Sequence, residues 1–135
     1  MTMSTLGRRT ALITGLLTGT LLAAVPMGTA AKDGDIIRSG GCTASSDWKL
    51  KLSSEDGRIE VELEVDQNVN GRTWDVKLKK DGTTFWNGQR TTQAPSGSFE
   101  ARYLTADGAG SERIVGVATN PRSGEVCRGA ATWDA

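Results

Sequence analysis

Polar and apolar residues alternate with a period of two along most of the chain after residue 47. This alternation is typical of strands that bury one face and expose the other. In "RIEVELEVD", for example, Ile59, Val61, Leu63 and Val65 alternate with glutamates. The pattern predicts seven strands, in the segments "SDWKLKLS", "RIEVELEVD", "TWDVKLKK", "TTFWNGQRT", "SFEARYLT", "ERIVGVAT" and "EVCRGAATW".

Short segments rich in glycine, asparagine and serine separate the predicted strands. Asp81-Gly82 is a strong two-residue hairpin signal, because both central residues of a type I′ turn need a positive φ. Seven short strands at this spacing, without a sustained helical period, predict an all-β fold, a seven-stranded antiparallel β-sandwich. In an immunoglobulin-like order, the first, second and fifth predicted strands share one sheet, and the other four share the second sheet.

The polar positions of the first, second and fifth predicted strands carry charges of both signs. These residues are Lys49, Lys51, Glu60, Glu62, Glu64, Glu100 and Arg102. Opposite charges on neighbouring strands stabilise a sheet modestly, so we expect a solvated, salt-bridged face. A catalytic carboxylate pair is the alternative, but an exposed flat face offers no means of raising a carboxylate pKa.

The first 31 residues differ from the rest of the chain. Arg8 and Arg9 precede an apolar, uncharged run, and the small residues Thr29 and Ala31 follow it. This order predicts a secretory signal peptide over residues 1–31; an uncleaved anchor helix is the alternative, and the general and twin-arginine export routes both stay open. Residues 32–41 are polar and glycine-rich and predict a flexible lead-in to a β-sandwich domain over residues 42–135. Since no second apolar run follows, we expect a secreted, extracellular protein that no membrane holds after signal removal.

Two cysteines, Cys42 and Cys127, lie in the part of the chain that is predicted to be exported. Cysteines in an oxidising compartment usually pair, so we predict one disulfide between the start of the domain and its last strand. A zinc or redox pair is the alternative, but the chain has no histidine and no CxxC spacing. An antibody-type bridge would join the second and sixth strands instead.

Composition and motifs argue against several classes of function. The chain has 16 basic and 16 acidic residues, which gives no electrostatic reason to expect a nucleic-acid partner. Without histidine, the Ser-His-Asp and Cys-His schemes are excluded, and no nucleophile-elbow, P-loop or dinucleotide motif is present. We therefore predict a protein that is not an enzyme, has no cofactor and is a monomer.

One segment matches the start of a calcium-binding loop. "DQNVNG" fits the pattern D-x-[DN]-x-[DN]-G, with Asp66, Asn68 and Asn70 at the ligand positions. Position twelve of such a loop needs a bidentate glutamate, and Lys77 stands there. The pattern favours a turn between strands, in which Asn70 and Gly71 accept a positive φ, with a low-affinity calcium site as the alternative.

Two adjacent aromatic residues give the main candidate for a binding site. Phe85 and Trp86 lie on one predicted strand, so we expect one ring to point into the core and the other outwards. The outward ring would join Val115 and Val117 in an apolar patch bordered by Lys77 and Arg113, and such patches often mark binding sites. As alternatives, a β-bulge near Asn87-Gly88 would turn both rings inwards, Trp86 would cover a sheet edge, or the lead-in with Ile36 and Ile37 would cover Trp86.

Two exposed loops suggest a different function. "NPRSG" contains Arg122, and "QAPSG" contains Pro95. Either loop could present a peptide bond to a protease as a rigid inhibitor. An ordinary turn is the simpler interpretation, and neither loop has a predicted disulfide beside it to brace it.

The stretches "GGCTASSDWKLKL", "DGRIEVELEVD", "GRTW", "SGSFEARY" and "NPRSGEVCRGAATW" follow one another along the chain. In these stretches the chain resembles a group of small secreted proteins of actinobacteria, mostly uncharacterised. The resemblance implies export, a compact β-domain and a Cys42–Cys127 bridge, and it implies no activity and no functional residue. The predicted function is a secreted, non-catalytic module that recognises an extracellular glycan or protein, with a protease inhibitor as the alternative.

Overall fold

The computed structural model describes residues 30–134, which form eight β-strands and no helix. The strands are β1 (Ile36–Gly41), β2 (Asp47–Glu55), β3 (Arg58–Asp66), β4 (Thr73–Lys80), β5 (Thr83–Thr91), β6 (Ser98–Ala106), β7 (Ser111–Thr119) and β8 (Val126–Asp134). Within these residues, nothing forms a helix of the length and hydropathy needed to cross a membrane. The predicted signal peptide lies outside the described residues, apart from its last two.

The strands form two antiparallel sheets of four strands each. Sheet 1 has the order β1-β2-β3-β6, and sheet 2 has the order β5-β4-β7-β8. The first, second and fifth predicted strands are β2, β3 and β6, so they share a sheet as predicted. The other four predicted strands, β4, β5, β7 and β8, make up sheet 2, which confirms that prediction as well.

The apolar faces of the two sheets meet in a single core. Sheet 1 contributes the alternating aliphatic residues of β2 and β3, and sheet 2 contributes Trp74, Val76 and Leu78 of β4, all at most 1% exposed. The ring of Trp74 packs against that of Phe99 from sheet 1, with 6.1 Å between ring centroids. Because removing apolar surface from water is the dominant favourable contribution to folding, this core accounts for the face-to-face packing of the sheets.

Two tight turns have the backbone geometry that the sequence requires. At Asp81-Gly82, between β4 and β5, the φ angles are 49° and 81°. Asp56-Gly57, between β2 and β3, has φ angles of 48° and 74°. Positive φ at both central residues is the mark of a type I′ hairpin, and glycine adopts it without a steric penalty.

The sequence pattern predicts seven strands, and the structure adds an eighth, β1, inside the predicted flexible lead-in. β1 pairs with β2 from Ile36 opposite Leu52 to Gly41 opposite Asp47. Its sequence, "IIRSGG", has no alternation that would mark a strand. The strand forms because the edge of β2 offers unpaired backbone groups and because Ile36 packs against the core.

The edge of the sandwich that contains β1, β2 and β8 is closed in two ways. The predicted disulfide between Cys42 and Cys127 is confirmed, and it is compatible with an extracellular location. Trp48 of β2 lies between Gly40 of β1 and Gly129 of β8, where an added Cβ would lie 3.0 Å and 2.7 Å from the ring. A covalent bond and a tightly packed indole therefore join the two sheets at this edge.

A buried carboxylate reinforces the same edge. Glu125, two residues before Cys127, accepts hydrogen bonds from the backbone N–H groups of Ala44 and Ser46 at 3.1 Å and 2.9 Å. The Ser46 hydroxyl donates a third hydrogen bond at 2.8 Å. A buried carboxylate needs such donors, and these three fix the loop after β1 against the loop before β8.

Candidate functional site

The predicted site depends on the direction of two adjacent rings of β5, Phe85 and Trp86. Trp86 lies opposite Leu78, but the next pair along the ladder is Lys79 with Thr84, so Phe85 is the extra residue of a β-bulge. Directly opposite residues share a face, and Leu78 is fully buried, so Trp86 lies on the inner face. Phe85 packs against the core as well, because a bulge interrupts the alternation. The prediction that one ring points outwards is therefore wrong.

Trp86 closes the second edge of the sandwich, between β5 and β6. Its ring stacks on that of Tyr103, with 4.0 Å between centroids and 15° between planes. The indole covers Gly88, where an added Cβ would lie 2.7 Å from the ring. The guanidinium carbon of Arg90 lies 4.8 Å from the Trp86 centroid, and Arg90 donates a hydrogen bond to the Tyr103 hydroxyl. We call Trp86, Tyr103 and Arg90 the edge clamp.

Contacts within the fold explain the positions of the three edge-clamp side chains without a ligand. All three of its side chains are half-buried, and Arg90 also donates to the carbonyl oxygen of Gln89 at 2.7 Å. A stacked aromatic pair contributes about 0.5–1.5 kcal/mol beyond its buried area, and a partly exposed cation–π contact adds about 0.5–1 kcal/mol. These contacts hold the edge of β5 against sheet 1, so Trp86 stabilises the fold and is not a free binding surface.

The other four predicted site residues lie on the outer face of sheet 2. Lys77 is directly opposite Val117, and both alternate with buried residues along their strands. Val115 and Arg113 follow on the same face of β7, but Val115 is only 8% exposed. Because both rings face inwards and Val115 is covered, the predicted apolar patch does not form, and this face is mainly polar.

A shallow, open groove runs along β4 on this outer face. Its volume is about 720 Å³. β4 forms the floor with Asp75, Lys77 and Lys79, and the neighbouring strands form the walls, β5 with Asn87 and Gln89 and β7 with Val117 and Thr119. Since β4 rises about 3.4 Å per residue, the floor from residue 75 to residue 79 is about 14 Å long. The groove therefore presents charged, amide and hydroxyl groups in an elongated depression.

The outer face of sheet 2 carries several cationic side chains. Four side chains, Lys77, Lys79, Arg113 and Arg128, lie on it, and none forms a salt bridge with an acid within the described residues 30–134. Arg128 lies opposite Val117 and so extends the charge beyond the β7 wall. Clustered charge of one sign raises the local concentration of oppositely charged ligands, so this face favours an anion.

The two acidic side chains near the groove accept hydrogen bonds from neutral N–H groups instead of pairing with the cations. Asp75 accepts a hydrogen bond from the Gln89 side-chain amide at 3.0 Å. Asp81, in the β4–β5 turn, accepts one from the backbone N–H of Arg113 at 2.8 Å. The groove therefore has a cationic end at Lys79 and a mixed end at Asp75, where amide and hydroxyl groups predominate.

The outer face of sheet 1 is different, because its charges are paired. Lys49 lies 3.9 Å from Glu64, Lys51 lies 3.5 Å from Glu62, and Arg102 lies 3.6 Å from Glu100. The first two pairs are directly opposite residues of β2 and β3. The predicted ion pairs of this face are confirmed, and they leave little uncompensated charge for a ligand. The prediction that the face is solvated is wrong for Lys51 and Glu62, which are only 3% and 2% exposed.

Three glutamates of this face lie unusually close together. The carboxylate oxygens of Glu62, Glu64 and Glu100 lie within 4.8 Å of one another. Burial raises the pKa of Glu64, against the attraction of Lys49, and burial followed by repulsion from Glu62 raises the pKa of Glu100. The expectation that a flat face cannot raise a carboxylate pKa is therefore wrong. A divalent cation takes such ligands, but cationic side chains already stand within salt-bridge distance of all three.

The predicted calcium loop is used as a turn. Asp66 accepts a hydrogen bond through Oδ1 from the backbone N–H of Asn68 at 2.9 Å. The predicted positive φ is confirmed for Gly71, at 75°, but is wrong for Asn70, because Asn68 adopts it instead, at 58°. This arrangement is an Asx-turn, and Asn70 is exposed within it. The geometry favours the turn interpretation of Asp66, Asn68 and Asn70 over the calcium site.

The two loops of the inhibitor hypothesis are closed turns. In the first, Asn120 accepts hydrogen bonds through Oδ1 from the backbone N–H groups of Arg122 and Ser123 at 3.0 Å and 3.3 Å. In the second, which contains the cis Ala94-Pro95 bond, the N–H of Gln93 donates to the carbonyl of Ser98 at 2.9 Å. Both segments are therefore held by local hydrogen bonds, and the inhibitor hypothesis stays a prediction.

Sequence reasoning missed several polar residues of the groove, namely Asp75, Lys79, Asn87, Gln89 and Thr119. A usable signal was present, because the alternation in "TWDVKLKK" places Lys77 and Lys79 on one face. For β5 the signal was ambiguous, because the bulge at Phe85 reverses the alternation on one side of it. The position of that bulge decides whether Asn87 and Gln89 face the groove or the core.

Comparison of the chain with protein-family models, with curated proteins and with solved structures found no match. The function therefore has to be inferred from the geometry of residues 30–134. Among the surfaces described above, the outer face of sheet 2 combines a groove with cations that have no acidic partner in the described part of the chain.

Proposed function

We propose that the protein is an exported, non-catalytic module that binds an extracellular glycan in the groove on the outer face of sheet 2. The observation that carries the proposal is the set of polar side chains that line that groove, among which Lys77 and Lys79 have no acidic partner within residues 30–134. Amide and hydroxyl side chains of Asn87, Gln89 and Thr119 supply donors and acceptors that suit sugar hydroxyls. Lys77 and Lys79 supply the charge.

Export to the extracellular space is part of the proposal. It is supported by the order of basic, apolar and small residues over positions 1–31. The Cys42–Cys127 disulfide is compatible with an oxidising compartment. The resemblance to small secreted proteins of actinobacteria points the same way. N-terminal sequencing of the protein from culture medium should begin at Lys32, and a chain that retains residue 1 would contradict cleavage.

The immunoglobulin-like order is also a proposal. With β2, β3 and β6 taken as strands A, B and E, and β4, β7 and β8 as strands C, F and G, each set lies in one sheet, as it does in immunoglobulin domains. β1 and β5 are then additions at the sheet edges. The disulfide departs from that family, since it does not join strands B and F.

A non-catalytic role is supported by the side chains available for chemistry. The chain has no histidine, and both cysteines are in the disulfide. A general base or nucleophile would have to be a carboxylate, lysine or hydroxyl group. The clustered carboxylates of Glu62, Glu64 and Glu100 lie on sheet 1, on the other sheet from the groove, and each has a cation beside it.

Retention on an insoluble polysaccharide tests the proposal. The purified protein is mixed with a panel of insoluble glycans, and the bound fraction is measured by sedimentation. Replacement of the groove amides by Asn87→Ala and Gln89→Ala should reduce the bound fraction at least several-fold. The control Ser54→Ala changes an exposed residue of β2 in sheet 1, on the other sheet from the groove, and it should bind like the parent. Failure of the parent to bind any glycan, or equal binding by the amide variant, would refute the proposal.

A further inference from the structure

We propose that the glycan bound by the groove is an acidic polysaccharide, one whose sugar units carry carboxylate groups. This inference rests on the proposed function and narrows its ligand class. Lys77 and Lys79 lie two residues apart on one face of β4, and therefore about 7 Å apart along the groove floor. Neither has an acidic partner within the described residues.

The positive charge on the outer face of sheet 2 does not reflect an excess of basic residues in the chain. The chain as a whole has equal numbers of acidic and basic residues, and sheet 1 pairs its charges across neighbouring strands. The positive potential is therefore local to the groove side of sheet 2, where Arg113 and Arg128 add to the two lysines. An anionic ligand would be drawn to this face and away from the glutamates of sheet 1.

The neutral groups of the groove select among anionic polymers. Asn87, Gln89 and Thr119 line the same depression from β5 and β7, the two strands that flank the lysines of β4. A polymer of sugars with carboxylates offers hydroxyl groups to these side chains and charge to the lysines. Polyphosphate has no hydroxyl groups, and a nucleic-acid duplex would need a larger basic surface. The mixed lining therefore fits an acidic polysaccharide better than either of them.

The mixed end of the groove gives the most specific test. The Asp75 carboxylate lies on the groove floor and repels an anionic ligand, while its Oδ1 accepts from the Gln89 amide. Asparagine keeps the acceptor and removes the charge, so Asp75→Asn should bind the acidic polymer about two- to threefold more tightly at low salt. That factor is the effect of one unit charge at about 7 Å in water-like surroundings. A merely structural role of Asp75 would not produce a gain.

The experiment measures the affinity of the purified protein for soluble polygalacturonate, with neutral dextran, polyphosphate and duplex DNA as comparison polymers. Lys77→Gln with Lys79→Gln should weaken polygalacturonate binding about tenfold or more and flatten its dependence on salt. The matched control, Arg38→Gln with Arg58→Gln, removes the same charge from sheet 1 and should bind within about twofold of the parent. Thermal unfolding of each variant verifies that it is folded.

Equal binding by the lysine variant and the parent would overturn the inference, and so would an equal loss in the arginine control. Tighter binding of polyphosphate or DNA than of polygalacturonate would overturn the identity of the ligand. If the parent binds neutral glycans as well as acidic ones, and the groove amides are still required, the acidic inference fails while the proposed function stands. If no glycan of either kind binds, both fail.

Discussion

Replacing Trp86 with alanine should destabilise the fold and leave the groove intact. The ring stacks on Tyr103 at 4.0 Å and covers Gly88, and it lies on the inner face of sheet 2, opposite the groove side. Removing it takes away the centre of the edge clamp and leaves Arg90 with a single aromatic neighbour. Asn87 and Gln89, which line the groove, lie on the outer face of β5, whereas the ring of Trp86 lies on the inner face.

The size of the loss follows from the environment of the ring. Truncation of a buried tryptophan to alanine costs about 3–5 kcal/mol. Trp86 keeps some exposure to solvent, and an edge can close over a gap more easily than a core can. We therefore expect about 2–4 kcal/mol, of which about 1 kcal/mol is the loss of the stack on Tyr103. Trp86→Phe keeps an aromatic face at the same place and should lose less than half as much.

Urea unfolding, followed by circular dichroism, measures this loss. With a slope of about 2 kcal/mol per molar urea, the middle of the range for small proteins, the midpoint should fall by about 1–2 M with the slope unchanged. Glycan binding, measured at a temperature where the variant is folded, should stay within about twofold of the parent. An unchanged midpoint together with lost binding would refute the reasoning, because the ring would then act as a surface for the ligand.

Three further predictions follow from contacts elsewhere in the structure. Gly129→Ala would place a Cβ 2.7 Å from the ring of Trp48, so it should cost about 1–3 kcal/mol through overpacking; an unchanged thermal midpoint would show that the indole is free to move. Burial, followed by repulsion from Glu62, raises the pKa of Glu100, so its contribution to stability is fully present below the pKa of an unfolded glutamate and is lost as the pH rises through the folded pKa. Glu100→Gln should therefore raise the melting temperature at pH 7 and have a smaller effect at pH 4, and the reverse order would contradict the shift. Reduction of the Cys42–Cys127 disulfide, whose cysteines are 85 residues apart in sequence, should lower the free energy of unfolding by about 4–5 kcal/mol, and a thiol assay on the denatured, unreduced protein should find no free thiol.

Much of the fold follows from local patterns. The alternation in β3 places Val61 and Leu63 in the core and their glutamate neighbours outside, and the turn residues Asp81-Gly82 require a hairpin. The charges then indicate which strands pair, because Lys49 and Lys51 stand opposite glutamates. β1 could not be predicted in this way, because its formation depends on the free edge of β2 and on the space that Gly40 leaves for Trp48.

The site was harder to predict, because its decisive feature is not local. In "TTFWNGQRT" a regular strand would expose one of Phe85 and Trp86, and only the bulge turns both inwards. The bulge is coupled to contacts across the sandwich, where Tyr103 of sheet 1 receives the indole. The sequence also gives no sign that Glu64 becomes partly buried on an outer face. Prediction by strand periodicity thus succeeds for regular strands and fails where the two sheets interact at an edge.

The contacts that close the two edges of the sandwich differ in strength. At one edge a disulfide and the Glu125 hydrogen bonds join the sheets, whereas at the other the edge clamp acts through non-covalent contacts alone. Sub-global opening proceeds from the least stable part of a protein, so thermal breathing should begin with β5 lifting away from β6. β5 also carries Asn87 and Gln89, so the strand that is expected to open first forms one wall of the groove. Hydrogen exchange should then be faster along β5 than along β8, and a bound polymer bridging β5 and β7 should slow it.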